Sequence, residues 1–316
     1  MKRFLTYCCL FVLPIIIVGG IIQQTPLNKS FAYSEFVKGD CSGHGKWLHD
    51  RLYLNNTPID IAFLGSSATW NAIDDSALTA RLTALKGRNV HVANLGYCRL
   101  GATFYTMLTE ELIAQKKPKH IVVEVLDRPG MRSHPMFGYL ASSKQVAAPP
   151  TILYGGFFDD VWKSTVVRWE QIRSFLYPTT EYQADLREHG FTRDPNIAGL
   201  SQMESIKKRR SRQTELPEIS LQERAIFHLN WKNIEHIQQL CARNNVGLSF
   251  LYINQFGRPI KVPRFETSWS QYGEIWYPPD AIYQNAENYF DHGHLNKFGA
   301  EKLVPFLEQN LSTQLQ

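Results

Sequence analysis

Short apolar segments alternate with amphipathic stretches along most of the chain, and this alternation limits the possible fold more than any other feature. The segments with the character of β-strands lie at 59–64, 89–96, 120–126 and 246–253. The stretches between them have helical spacing, and the longest begins where Ser220 and Glu223 are spaced for a capping box. Strands that alternate with helices build a mostly parallel sheet with helices on both faces. We therefore predict an α/β fold with a three-layer, doubly wound parallel sheet.

The alternation stops between residues 130 and 217. Prolines and glycines interrupt this stretch, so we interpret it as a mostly helical insertion that covers one end of the sheet. It contains a basic run, KKRRSR, at 207–212. We expect this run to be a solvated loop, and contact with an anionic membrane surface or an acidic polymer is the functional alternative.

The N-terminus predicts a membrane anchor. Lys2 and Arg3 precede a stretch without charge, 4–22, which approaches the ~20 apolar residues that a membrane-spanning helix needs. The basic tip favours a cytoplasmic N-terminus. A cleaved signal peptide, with a small-residue cleavage site at 18–20, is the alternative.

Both alternatives place the rest of the chain outside the cytoplasm. The anchor interpretation gives a single-pass protein of the cytoplasmic membrane, with its tip and transmembrane helix at 1–22. A polar, irregular stalk follows at 23–50. The extracytoplasmic domain, periplasmic or on the cell surface, then occupies 51–316.

Composition and cysteine spacing restrict the possible partners. A net charge of +5 over 316 residues is mild, and no basic stripe is interleaved with aromatic residues, so we predict no nucleic-acid partner. Among the cysteines of the exported part, Cys41, Cys98 and Cys241, two are able to form a disulfide, but buried free thiols fit the sequence equally well. Their spacing matches no metal site, and we predict neither a metal nor a cofactor.

A serine and a histidine occupy positions where an α/β fold places its chemistry. Parallel sheets have their sites beyond the carboxyl ends of the strands, and Ser66 and Ser67 directly follow the first predicted strand. A serine there is either a nucleophile or merely the cap of the next helix. Asp291 and His294, three residues apart before the last helix, are spaced to supply a base and the carboxylate that orients it. A metal site with His292 is a weaker alternative, because His-x-His lacks a matching third ligand.

Together these motifs resemble those of the SGNH hydrolases, also called the GDSL family. Gly65-Ser66-Ser67 matches the Gly-Asp-Ser block, with Ser66 in place of Asp, and Asn94-Leu95-Gly96 matches the second block. Asp291 and His294 match the last block. The resemblance implies that Ser67 is the nucleophile, that His294 is the base and that Asp291 orients it. It also implies an oxyanion hole formed by the backbone N–H groups of Ser67 and Gly96.

The third block of the family, Gly-x-Asn-Asp, is not present. The chain has Val-Leu-Asp-Arg-Pro at 125–129, which lacks the asparagine that donates to the oxyanion. Loss of one such donor costs about two to three orders of magnitude in rate. Arg99, Arg128 or a residue of the insertion is a candidate substitute.

A degenerate third block is similar to that of membrane-anchored SGNH-like proteins that take part in teichoic acid D-alanylation and alginate acetylation. This resemblance implies an esterase or O-acyltransferase that acts on a cell-surface glycan or acyl ester, with a membrane-bound acyltransferase as partner. A non-catalytic accessory protein of surface-polysaccharide assembly and an anchored lipase or esterase are the alternatives. An aromatic loop with Trp269, Tyr272, Trp276 and Tyr283 is suited to bind acyl chains or sugar rings, or else to form a packed lid.

Overall fold

A five-stranded parallel sheet organises the chain in the computed structural model, which describes residues 2–37, 42–99, 101–125, 127, 132–153, 155–175, 183–191, 194–212 and 218–315. The strands are β1 (Ile61–Leu64), β2 (Val92–Asn94), β3 (His120–Glu124), β4 (Gly247–Leu251) and β5 (Glu274–Trp276). Their order across the sheet is β2-β1-β3-β4-β5, and every neighbouring pair is parallel. The predicted α/β class and parallel sheet are confirmed.

Helices cover both faces of the sheet. They are α1 (Lys2–Gln23), α2 (Lys29–Glu35), α3 (Ser42–Tyr53), α4 (Ser67–Ala72), α5 (Asp75–Lys86), α6 (Ala102–Lys116), α7 (Phe137–Leu140), α8 (Ser143–Val146), α9 (Pro149–Ile152), α10 (Phe157–Ser174), α11 (Leu200–Arg210), α12 (Leu221–Arg243), α13 (Glu266–Ser270), α14 (Asp280–Gln284) and α15 (Lys297–Gln314), with a 3-10 turn at Ala286–Asn288.

Successive residues of β1 enter two different cores, as the two-residue period of a strand requires. Ala62 and Leu64 pack with apolar residues of α3, α6 and α12. Ile61 and Phe63 pack with apolar residues of α5 and α15 on the other face. The sheet is thus the middle of three layers, and the carboxyl ends of its strands lie at one edge.

Strand β5 was not predicted, because it has only three residues and begins with an exposed glutamate. It extends the sheet beyond β4, with Ser249 opposite Glu274 and Leu251 opposite Trp276. The predicted capping box at the start of α12 is confirmed. The Ser220 N–H donates to Glu223 Oε2 at 2.8 Å, and the Glu223 N–H donates to Ser220 Oγ at 3.2 Å.

The prediction of a stalk at 23–50 is wrong. Helices α2 and α3 fall in this segment, and Tyr33, Trp47 and Leu48 are buried in the core that they share with β1. The many polar residues of this segment make its place in the core difficult to recognise from the sequence. Some of them are buried with hydrogen-bond partners: His49 Nδ1 bonds to Asp50 Oδ1 at 2.8 Å. The folded body therefore includes α2 and α3 and does not begin at residue 51.

The predicted anchor forms α1, a helix with Pro14 inside it, which contacts α10. Within the parts of the chain that the structure describes, no helix combines the length and the apolarity needed to cross a membrane. The prediction of a transmembrane helix is therefore unsupported.

The predicted insertion contains helices α7 to α11 and an extended segment, 183–191. This segment runs beside α3: Trp47 Nε1 donates to the Arg187 carbonyl at 2.9 Å, and Asn55 Nδ2 donates to the Leu186 carbonyl at 2.8 Å. At its end the Gly190 N–H donates to the buried carboxylate of Asp75 at 2.8 Å. Part of the insertion is thereby fastened to the first helices of the body.

Gly190 provides a test of this close packing. A Cβ atom there would contact the Trp47 ring and lie 2.7 Å from the Asn94 carbonyl oxygen. We expect Gly190→Ala to lower the free energy of unfolding by about 1–3 kcal/mol, the usual cost of overpacking, as measured by urea denaturation. Gly19→Ala is the control, since its Cβ would meet nothing within 4 Å. Equal stability of the two variants would contradict the packing of this segment.

Candidate active site

The three residues predicted as a catalytic triad are in hydrogen-bond contact. Ser67 is the first residue of α4, directly beyond β1, and its Oγ lies 2.8 Å from His294 Nε2, although the two residues are 227 positions apart. His294 Nδ1 lies 2.8 Å from Asp291 Oδ2 and 3.0 Å from Oδ1. This is the order nucleophile, base and orienting acid that acyl-transfer chemistry requires.

The loop that carries Asp291 and His294 is ordered by its own hydrogen bonds. Asp291 Oδ1 accepts the backbone N–H groups of Gly293 at 2.7 Å and of His294 at 2.8 Å. Beyond the loop, Asn296 caps α15 by accepting the N–H of Phe298. The three-residue spacing thus lets the Asp291 carboxylate bind the backbone of the turn and the imidazole of His294 at the same time.

The charge of Asp291 fixes the role of each imidazole nitrogen. Burial opposes ionisation, but the hydrogen bonds from His294 and Gly293 outweigh it and hold the pKa of Asp291 below its usual range. An ionised carboxylate only accepts, so Nδ1 carries the ring proton and Nε2 accepts from the Ser67 hydroxyl. Since this pKa is lowered, the stability that Asp291 contributes is present above its unfolded-state pKa and is lost as pH falls through the folded-state value.

Ser66 and Ser67 occupy different positions, and the structure shows which of the two serines caps the helix. Ser66 is the N-cap of α4, and its Oγ accepts the Ala68 N–H at 3.1 Å. Ser67 is partly exposed and faces His294. The capping function and the candidate nucleophile are thus adjacent residues.

A buried glutamate that sequence reasoning missed holds this turn from behind. Glu124 ends β3, and its Oε2 accepts the Ser66 N–H at 2.6 Å and the Thr69 Oγ1–H at 2.6 Å. Its Oε1 accepts the Ser66 hydroxyl at 2.9 Å. Burial raises the pKa of Glu124, and the hydrogen bonds from Thr69 and Ser66 oppose that shift. The available signal was a charged residue at the end of an apolar strand, where burial demands partners.

Gly96 lies close to α4, but its N–H is already engaged. It donates to Asn94 Oδ1 at 3.1 Å, while Asn94 Nδ2 donates to the carbonyls of Trp70 at 2.9 Å and Ile73 at 2.8 Å. A Cβ at Gly96 would lie 2.5 Å from the Trp70 nitrogen, so the close approach itself requires glycine. This geometry argues against the predicted oxyanion role of Gly96. The Ser67 N–H remains a candidate donor, because N–H groups of a first helical turn lack intrahelical acceptors.

His44, from the segment predicted as a stalk, supports the same backbone. Its Nε2 donates to the Gly96 carbonyl at 2.7 Å, and its ring stacks on Trp70 with centroids 4.1 Å apart. Burial lowers the pKa of His44 to about 4, so the ring is neutral at physiological pH. His44 is therefore a structural donor rather than a second base.

Among the described residues, no contact joins a suggested substitute for the missing oxyanion asparagine to Ser67 or His294. Arg99 is exposed, with a φ of 71°, and Arg128 lies outside the described residues. Asp127, in the position of the third block, pairs with the buried Arg258 and accepts the Arg264 N–H at 2.9 Å. This block is thus used for an ion pair beyond the ends of β3 and β4.

The first four residues of the basic run, 207–210, lie in α11, and Arg210 reaches the triad loop, so the prediction of a solvated loop is wrong in part. Arg210 is half-buried, and its Nη1 donates to the carbonyls of His292 at 3.0 Å and Phe256 at 2.9 Å. Next to it, α11 and the triad loop border a cavity of about 410 Å³. Its lining residues are Gln202, Ser205, Ile206, Arg209 and His292.

Three of the four aromatic residues of the aromatic loop are buried, and Tyr272 is partly buried. Trp269, Trp276 and Tyr283 are each 2% exposed, which agrees with the packed alternative and not with a binding surface.

Of the cysteines, Cys98 is disulfide-bonded and Cys241 is buried and free. The partner of Cys98 is not among the described side chains. Among the described residues, no group of three or more His, Cys, Asp or Glu is placed to hold a metal ion.

A second Ser–His–Asp arrangement exists elsewhere in the molecule. Ser30 Oγ lies 3.1 Å from His49 Nε2, and His49 Nδ1 lies 2.8 Å from Asp50 Oδ1. The His49 side chain is only 1% exposed, whereas that of His294 is 29% exposed. Distances alone therefore do not identify a site, and access to the histidine separates the two arrangements.

Comparisons with known proteins add no family assignment: no protein-family model matches the chain, and no curated protein matches it either.

The positioning role of Glu124 is open to test. We expect Glu124→Gln to slow the reaction of Ser67 with a fluorophosphonate by about 100-fold, because an amide nitrogen cannot accept from the Ser66 or Thr69 donors and a displacement of about 1 Å has that cost. The labelling rate of folded protein is the measurement. Glu111→Gln, which removes another buried carboxylate paired with Lys29, is the matched control. Equal labelling rates would show that Glu124 serves stability alone.

Proposed function

We propose that this chain is a serine-dependent acyl-transfer enzyme of SGNH type. The observation that supports the proposal is the continuous hydrogen-bonded path from Ser67 through His294 to Asp291, at the carboxyl edge of a parallel sheet. This edge is where α/β folds place their sites. The arrangement needs no metal or cofactor for the reaction that follows.

In the proposed reaction, each step has one responsible group. His294 Nε2 takes the proton of the Ser67 hydroxyl as Oγ attacks the carbonyl carbon of an ester. The tetrahedral intermediate collapses, the leaving alcohol takes the proton from His294, and the acyl group remains on Ser67. His294 then removes a proton from the acceptor hydroxyl as that oxygen attacks the acyl-serine. The second tetrahedral intermediate collapses, the acyl group leaves on the acceptor, and His294 returns the proton to Ser67 Oγ. Asp291 stays ionised throughout and stabilises the imidazolium that forms.

The acceptor is proposed to be a hydroxyl of a cell-surface glycan, with water as the competing acceptor in an esterase. Support comes from the motifs shared with SGNH-like proteins of surface polymers and from the cavity beside the triad loop, whose lining mixes polar and apolar surface. The disulfide at Cys98 supports an oxidising, extracytoplasmic location. The acyl group would reach Ser67 from a membrane-bound acyltransferase, as the same resemblance implies.

One observation favours a second candidate, a non-catalytic accessory protein of surface-polysaccharide assembly. The Gly96 N–H is bound to Asn94, and the third block supplies no asparagine, so the Ser67 N–H is the one oxyanion donor identified among the described residues. An acyl-transfer site with a single donor loses much of its transition-state stabilisation. The probe experiment below distinguishes the two candidates.

A fluorophosphonate probe tests the nucleophile directly. We expect labelling of the wild type and its abolition in Ser67→Ala, because the probe phosphorylates an activated serine. Ser30→Ala is the matched control, since it removes the hydroxyl of the buried second arrangement, and its labelling should equal that of the wild type. A folded wild type that is not labelled would support the accessory candidate, and loss of labelling in Ser30→Ala would refute the choice of Ser67.

The role of the carboxylate gives a separate expectation. Asp291→Asn should reduce the rate of ester hydrolysis by about four orders of magnitude, as the equivalent change does in serine proteases, because an amide no longer holds the productive tautomer of His294. Steady-state kinetics with a chromogenic acetyl ester measure the effect. A variant within tenfold of the wild type would show that Asp291 does not act through His294.

A further inference from the structure

Helix α10 turns its polar face toward the protein. Its Arg168 Nε donates to the Thr25 carbonyl at 3.1 Å, and Gln171 Nε2 donates to the Pro26 carbonyl at 3.0 Å. Gln171 Oε1 accepts the Asn28 N–H at 2.8 Å. The buried polar residues of α10 therefore hold the segment that connects α1 to the folded body.

The opposite face of α10 is aromatic and exposed. Phe158, Trp162 and Trp169 are spaced by four and seven residues, so they form one stripe along the helix, and they are 85%, 68% and 52% exposed. A surface helix of a protein surrounded by water has the reverse arrangement, with apolar residues inside and polar residues outside. The stripe is thus arranged for apolar surroundings.

Helix α1 exposes apolar side chains on all sides. Ile15, Ile16, Ile17 and Val18 are consecutive, and each is more than half exposed. Consecutive residues of a helix point about 100° apart, so these four cover its circumference. A lipid phase is able to cover every side of α1 that α10 leaves exposed.

The two exposed regions are continuous. A groove of about 750 Å³ lies between α1 and α10, and its lining is almost entirely apolar. Ile15 and Val18 contribute from α1, and Phe158 and Trp162 contribute from α10. The aromatic stripe and α1 therefore form one apolar surface.

We propose that this surface lies against a lipid bilayer, with the aromatic stripe of α10 at the level between headgroups and acyl chains. Tryptophan is enriched at that level because one part of the indole is apolar and its N–H finds water or headgroups. A helix with one apolar face lies in the plane of the interface. Through residues 23–28, α10 then fixes the orientation of the folded body relative to the membrane surface. This inference does not depend on the proposed catalytic activity.

Quenching of tryptophan fluorescence by brominated lipid tests the contact. The full chain is reconstituted into vesicles of phosphatidylethanolamine and phosphatidylglycerol, with or without dibromo-phosphatidylcholine. We compare the wild type with a Trp162→Phe/Trp169→Phe double variant, which keeps the stripe aromatic. Trp269→Phe is the matched control, because Trp269 is 2% exposed in the interior.

The expected result is quenching of the wild type that is at least halved in the double variant and unchanged in Trp269→Phe. Equal quenching of the wild type and the double variant would overturn the proposal, since the quenched tryptophans would then lie elsewhere. Absence of quenching in vesicle-bound protein would also overturn it. If the protein that shows no quenching sediments as a dimer, the aromatic stripe is instead a contact between two copies of the chain.

Discussion

The carboxylate of Glu124 is the constraint on which the rest of the site depends. It stands at the end of β3, in the middle of the sheet, and binds the backbone and hydroxyl of Ser66 and the hydroxyl of Thr69. The turn between β1 and α4 is thereby joined to the neighbouring strand. Because Ser67 is the next residue along, its hydroxyl is presented at the sheet edge with little freedom, and a distant loop is able to supply a base at hydrogen-bond distance.

Several elements distant from Ser67 in the sequence support this turn. Asn94 binds the last carbonyls of α4, and His44 binds the carbonyl of Gly96. Asp75 joins β2 to the extended segment of the insertion by accepting the N–H groups of Asn94 at 3.0 Å and Gly190 at 2.8 Å. Each of these polar groups is buried. The free-energy cost of removing each group from water is offset only while its hydrogen-bond partners stay in place. The site is therefore held by a network that includes residues before the first strand.

The sequence predicted what depends on repeated pattern or on close spacing. Four strands were recognisable from their apolar character, and Asp291 and His294 were recognisable because both lie on one short loop. The three-residue strand β5 has no periodicity to detect. Glu124 lies in an apolar strand segment and His44 lies in a polar segment. The sequence does not reveal their hydrogen-bond partners, because these partners are distant in sequence. The direction of the Gly96 N–H depends on the Asn94 side chain, whose own bonds exist only after α4 has packed.

In the proposed function, Ser67 forms a covalent acyl intermediate with the help of His294. Mass spectrometry of the wild type, acid-quenched during incubation with a chromogenic acetyl ester, tests it most directly. We expect a mass increase of one acetyl group that peptide mapping assigns to Ser67 and that Ser67→Ala abolishes. An unmodified protein that still hydrolyses the ester, or an acetyl group on another serine, would contradict it.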